Sequence, residues 1–193
     1  MAPRTPTQNE EIRQQARQQI RNAAFELFAA KGFANTSVRA IAEKAGVSKG
    51  LIYHYFEGKD DILHAIFEDL AKLGHQAMDF PEHLSSSERL HKMLNMIFGY
   101  IKQSTEVVRL MISLALQPDA VEKLKSSIDA YNERQIRVLA PLFEDLGYEG
   151  PEVEAYYLAA KLDGITLGYI TLGEDYPFEM MKQKVINDYD SEL

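Results

Sequence analysis

Thr36-Ser37-Val38-Arg39-Ala40-Ile41-Ala42-Glu43-Lys44-Ala45-Gly46-Val47-Ser48-Lys49-Gly50-Leu51-Ile52-Tyr53-His54-Tyr55-Phe56-Glu57-Gly58-Lys59 reads as two short helices joined by a tight turn. Thr36 and Ser37 can each accept a bond from the free N–H groups that open a helix. Val38, Ile41, Ala42 and Ala45 then recur at apolar spacing on one face. Gly46 follows that face directly, where a chain leaving a helix sharply needs positive φ, and Val47 comes next as an apolar plug. Ser48 is placed to cap the second helix. Its Leu51, Ile52 and Phe56 can pack inward, leaving Lys49, Gly50, Tyr53, His54 and Tyr55 near its start and outer side. Gly50 weakens a helix and offers nothing to a core, so it points to close approach of backbone to a partner surface. Helices joined in this way lay the first across a phosphate backbone and the second into a major groove.

On these residues the chain resembles the tetracycline-repressor (TetR) family of bacterial regulators. The likeness is close over residues 14 to 74 and holds in outline beyond. It is carried by Arg17 to Ile20, Ala24, Leu27-Phe28, Gly32-Phe33 and Thr36 through Leu63, with Ala45 to Phe56 the most specific run. Gly58 departs from it, standing where the family usually places serine or another side-chain cap; glycine there costs about a few tenths of a kcal/mol. The resemblance implies a DNA-binding domain over residues 14–74, with the helix-turn-helix at about 37–56, and a ligand-binding and dimerisation domain over 75–193. It implies that Ser37 and Arg39 touch phosphate or a base edge, that Ser48, Lys49, Gly50, Tyr53 and His54 line the groove, and that Lys59 reaches phosphate. The plainer alternative makes Tyr53 and Tyr55 core aromatics, and Lys49 and Lys59 ordinary solvated charges.

Charge is distributed to suit the first reading. Residues 1–60 carry nine Lys and Arg against six Asp and Glu, a net +3, which leaves −11 for the remainder of a chain whose net charge is −8. A basic end on an acidic body turns one surface toward phosphate. The 193 residues suffice for two modest units with their own cores, and 46% hydrophobic with 26% charged residues is ordinary for a globular chain. With no cysteine there is neither a disulfide framework nor a thiolate metal site nor a thiol nucleophile. No apolar run reaches the roughly 18 residues of a membrane span, so a cytoplasmic protein is expected. Met1 to Asn9 reads as a loose arm on which Arg4 could reach a minor groove.

Nearly all of the chain has helical periodicity, and the expected fold class is all-α: a three-helix DNA-binding unit, a connector helix and a helical C-terminal domain. Ile12, Ala16, Ile20, Ala23, Ala24, Leu27 and Phe28 predict a first helix that ends at Lys31-Gly32. Asp60 and Asp61 begin the connector, and Gly74 to Leu84 with Pro81 breaks the pattern. Ser85 to Glu88 offers a capping box for the next helix. A short helix over about Thr105 to Leu116 follows. Asp119 can cap a long one kinked at Pro141, and Pro151 and Pro177 open the last two.

Ala160, Gly164 and Gly168 lie four residues apart on one helix face, where small side chains let another helix approach, and a subunit interface is expected there. The resemblance implies the same, through a four-helix bundle of the last two long helices of each protomer. A two-fold homodimer would present two recognition helices to a pseudo-palindromic operator. The resemblance also implies a small-molecule effector whose binding moves the connector helix, and hence a ligand-released repressor; Phe98, Met111, Tyr131 and Tyr169 are the candidate pocket residues. No cofactor is expected. Glu88-x-x-His91 has the spacing of di-iron bundles, which makes a helical-bundle metal enzyme the rival reading, but the second copy of the motif is missing. No Ser-His-Asp order, phosphate-cradling glycine loop or metalloprotease motif is present. A helical interaction module that has lost DNA binding is a third possibility, and Lys49, Gly50, Tyr53 and Lys59 argue against it.

Overall fold

The computed structural model describes residues 6–81 and 83–190, and Arg4 lies outside them. Among the described residues the regular structure is helical: α1 (Pro6–Lys31), α2 (Val38–Ala45), α3 (Lys49–Tyr55), α4 (Lys59–Ala77), α5 (Ser86–Gln103), α6 (Thr105–Ala115), α7 (Pro118–Asp145), α8 (Pro151–Leu172), a 3-10 turn and α9 (Phe178–Asp188). Several boundary expectations change, among them Asp119, which lies inside α7 instead of capping it. The segment before Asn9 is not all loose arm, since α1 already begins at Pro6. Helix α4 also runs past Gly74 to Ala77 instead of breaking there.

The chain forms two compact units that do not follow chain order. The first joins the chain up to Leu70 with Leu110–Ser127; the second joins Ala71–Arg109 with the chain from Ile128 onward.

In the first unit, α1, α2 and α3 close over Ile20, Phe28, Ile41, Ile52 and Phe56, each at most 2% exposed. Gly32 ends α1 at φ 87°, a left-handed conformation that a Cβ would strain. The last carbonyls of α1 would have no partner within the helix. Segment 110–127 supplies partners: Ser113 Oγ donates to the Ala29 carbonyl at 2.8 Å and Gln117 Nε2 to the Phe28 carbonyl at 2.9 Å. The Gln117 side-chain oxygen accepts from the Phe33 N–H at 2.8 Å, so a single amide satisfies both sides of the turn.

The second unit buries Leu90, Leu94, Phe98, Phe143, Leu158, Phe178 and Tyr189 around the inner faces of α5, α7, α8 and α9. Ser85 and Glu88 form the expected capping box at the start of α5. Gly150 at φ 76° delivers the chain into α8, with Pro151 at its first turn. Tyr189, 2% exposed, needs partners for its hydroxyl. It donates to Glu154 at 2.6 Å and accepts from Lys161 at 3.2 Å, tying the end of α9 to two turns of α8. Burial and the neighbouring Glu154 carboxylate drive the Tyr189 phenol well above the usual tyrosine range, which keeps it a donor.

Candidate nucleic-acid interface and effector cavity

The helix-turn-helix is held by caps. Ser37 Oγ accepts from the Ala40 N–H at 3.1 Å and Ser48 Oγ from the Leu51 N–H at 3.1 Å, each satisfying one of the free donors at a helix start. Thr36 behaves differently from the sequence expectation. It is 3% exposed, and its hydroxyl donates to the Gly32 carbonyl at 2.8 Å, closing the α1–α2 turn instead of capping α2. Gly46, at φ 67°, donates back to the end of α2 and turns the chain toward α3.

This arrangement leaves Ser48, Lys49, Gly50, Tyr53 and His54 exposed on α3 while Ile52 and Phe56 are buried. Tyr53, at 52% exposure, is therefore not a core aromatic. The Lys49 ammonium lies 5.6 Å from the centre of its ring. Tyr55 is half-buried, its ring edge-on to His54 at 4.9 Å. Arg39 is exposed on α2 and pairs with Glu43 at 2.8 Å, a surface pair worth little. Lys59 differs from the other basic residues. Its ammonium donates to the carbonyls of Phe33 at 2.9 Å, Ala34 at 3.1 Å and Thr36 at 3.3 Å, so all three of its protons are engaged within the turn. Its spacing from Phe33 in the sequence carries no signal for this role.

Among the pocket candidates, Phe98 and Tyr169 both pack on Phe178, with ring centres 5.5 and 4.4 Å away. Met111 falls in the first unit. Tyr131 stands in the second unit and stacks on His75 at 5.4 Å. A Cβ on Gly74 would meet the Tyr131 hydroxyl, with Cζ at 3.2 Å, so this glycine is what lets the phenol lie against α4. His75 in turn lines a cavity of about 300 Å³ with Gln76, Met78, Asp79, Arg134 and Val138. Its Nε2 is buried with no hydrogen-bond partner among the described residues. Burial, aided by the Arg134 charge, holds the His75 imidazole below its ordinary pKa and hence favours the neutral ring. Sequence reading missed His75, whose neighbours along the chain say nothing of Tyr131.

On α8, Ala155, Leu158, Ile165 and Ile170 are buried. Ala160 and Gly164 lie on the exposed side with Val153, Tyr156, Tyr157 and Leu167, which are 71%, 59%, 56% and 48% exposed. Gly168 differs from both, because Tyr176 fills the space where its Cβ would be, with Cζ at 2.8 Å. It thus serves packing inside the unit. The rival metal motif is otherwise engaged, because Glu88 accepts from the Ser85 N–H and hydroxyl at 2.8 Å and His91 Nε2 lies 3.1 Å from Asp190. Among the described residues no group of three His, Cys, Asp or Glu could hold a metal ion, and no helix is long and apolar enough to cross a membrane.

A family model described as "Bacterial regulatory proteins, tetR family" matches residues 20–66, the span that holds the caps, turn and exposed helix just described. Residues 20–66 carry the TetR-family domain. Similar proteins include the HTH-type transcriptional regulator SrpR of Pseudomonas putida, 41% identical over 34% of this chain and 29% of that protein. The chain therefore aligns with under a third of SrpR's length. The HTH-type transcriptional regulator BetI of Vibrio vulnificus is 27% identical over 78% of this chain and 79% of its own. A TetR-like transcriptional regulator from Rhodococcus sp. RHA1 superposes over 100% of both chains, with a TM-score of 0.67 and 25% identity.

Proposed function

We propose that this chain is a sequence-specific DNA-binding transcriptional regulator, a homodimeric repressor in the cytoplasm that leaves its operator when a small molecule binds. The observation that carries the reading is the capped helix α3. Ser48 fixes its start, Ile52 and Phe56 anchor its inner side, and Ser48, Lys49, Gly50, Tyr53 and His54 are exposed where a major groove could receive them. Ser37 and Arg39 at the start of α2 join them as phosphate or base contacts. Lys59 adds its charge toward phosphate while its protons hold the turn. In this division of labour residues 14–74 bind DNA, and residues 75–193 bind the effector and the second protomer.

The dimer reading is supported by the apolar stripe on the exposed side of α8, where Val153, Tyr157 and Leu167 flank Ala160 and Gly164. Small residues between large apolar ones suit a second helix laid closely against them, and the two-fold axis of such a pair matches a pseudo-palindromic operator. The effector reading is supported by the cavity beside His75 and Tyr131, where a buried ring nitrogen lacks a partner that a ligand could supply.

Selection of binding sites from a pool of random duplexes tests the central claim: an enriched pseudo-palindrome is expected. Failure to retain any duplex at low ionic strength overturns it. A thermal-shift screen against metabolites and drugs, paired with release of the selected duplex, tests the effector, since a ligand selective for the folded protein raises apparent stability.

A further inference from the structure

Beside the exposed helix of the DNA-reading motif lies a groove that the helix-turn-helix pattern does not account for. It has a volume of about 790 Å³ and runs between one face of α1 and the end of α3, where His54 and Tyr55 form its far side. Arg13, Arg17 and Arg21 line it from α1. They recur every four residues, the spacing that keeps side chains on one helical face, about 6 Å apart along the axis. That face serves packing poorly, because guanidinium groups are rarely placed on a core-facing stripe.

The three arginines are not equivalent. Arg21 is spoken for: its Nε lies 2.8 Å from Asp69, and the pair is mostly shielded from solvent. Arg17 sits with its guanidinium 5.3 Å from the centre of the Phe56 ring, a cation–π contact that holds its stem while leaving its donors uncommitted to any carboxylate among the described residues. Arg13 is 60% exposed, and its nearest carboxylate, Glu10, is 4.0 Å away, at the outer limit of an ion pair. Two exposed cations and a histidine thus face the same trough, with Glu10 the opposing charge on its wall.

We propose that this groove is a second DNA contact, in which Arg13 and Arg17 hold phosphates of the strand that borders the major groove entered by α3. The inference rests on the DNA-binding reading above and extends it from the motif to α1. A concave surface carrying two cations beside the groove-reading helix is matched to a phosphodiester strand. Contacts of this kind set register and affinity while carrying no base information. They also give the salt dependence of binding a definite source, since each phosphate neutralised releases counterions.

The experiment compares the full-length wild type with Arg13→Gln and Arg17→Gln, singly and together, on a duplex selected by the wild type from a random pool and on an unrelated duplex of equal length. For each single change, the slope of log affinity against log salt is expected to become shallower by roughly 0.9, and by about twice that for the pair. The preference for the selected duplex over the unrelated one should remain unchanged. Because loss of Arg17 disturbs the packing on Phe56, Glu10→Gln provides an independent arm on an exposed residue. It removes the opposing charge and should strengthen binding to both duplexes. Unchanged slopes in the arginine variants together with unchanged affinity in Glu10→Gln overturn the proposal while leaving the regulator intact. Failure of the wild type to bind either duplex would overturn the regulator reading and this contact with it.

Discussion

Lys59 engages Phe33 twice: its ammonium donates to the Phe33 carbonyl at 2.9 Å and lies 4.5 Å from the centre of the Phe33 ring. Phe33 is 3% exposed, and the two further carbonyls on the same ammonium belong to Ala34 and Thr36. The first residue of α4 therefore fastens the turn that leads into α2. Lys59→Ala should lower the unfolding free energy by about 2 kcal/mol, the usual worth of a charged hydrogen-bonded group, read from urea melts. The charge it brings to phosphate should be lost as well, making the salt slope of DNA binding shallower by roughly 0.9.

The two helical glycines of α8 should respond in opposite ways to alanine. Gly168→Ala drives a methyl into Tyr176 and should cost about 1–3 kcal/mol of stability. At Gly164 nothing lies within 4 Å of a new Cβ, so alanine should favour the helix of an isolated protomer by about 1 kcal/mol. If Gly164 faces a second protomer, that same methyl should raise the dimer dissociation constant in sedimentation equilibrium. Unaltered self-association would remove Gly164 from the interface.

Base reading should separate from phosphate binding within α3. Tyr53→Ala or His54→Ala should leave the affinity for unrelated duplexes nearly intact while reducing discrimination, by about 1–3 kcal/mol for each base the side chain reads. A random-duplex selection returning the same preferred site for wild type and variant would show that the side chain reads no base.

His75 makes stability depend on pH in a definite direction. Burial holds its folded-state pKa below the ordinary value of 6.5, so as pH falls the unfolded chain takes up the proton first. Its contribution to stability is then complete above about pH 6.5 and is lost progressively as pH falls from there toward the folded-state value. Urea unfolding of His75→Gln should show a smaller loss between about pH 7.5 and pH 5.5 than the wild type. Equal losses in the two proteins would mean the imidazole is no more desolvated than in the unfolded chain.

Much of the fold could be read along the chain because helix boundaries are local chemistry. The caps at Ser37, Ser48 and Ser85, the left-handed turns at Gly32 and Gly46, and the Pro151 start each act within one turn of backbone, and periodic apolar residues between them define the buried faces. What remained illegible depends on residues distant in sequence. Gln117 is a generic polar residue until folding sets it against Phe28 and Phe33, and His75 gains its cavity only once Arg134 and Val138 lie beside it. Ala160, Gly164 and Gly168 form one stripe by spacing, yet Tyr176 takes Gly168 for the interior and leaves the other two outside. Spacing determines which side chains share a helix face; packing against the rest of the chain decides what each face touches, because contact is a property of three-dimensional distance.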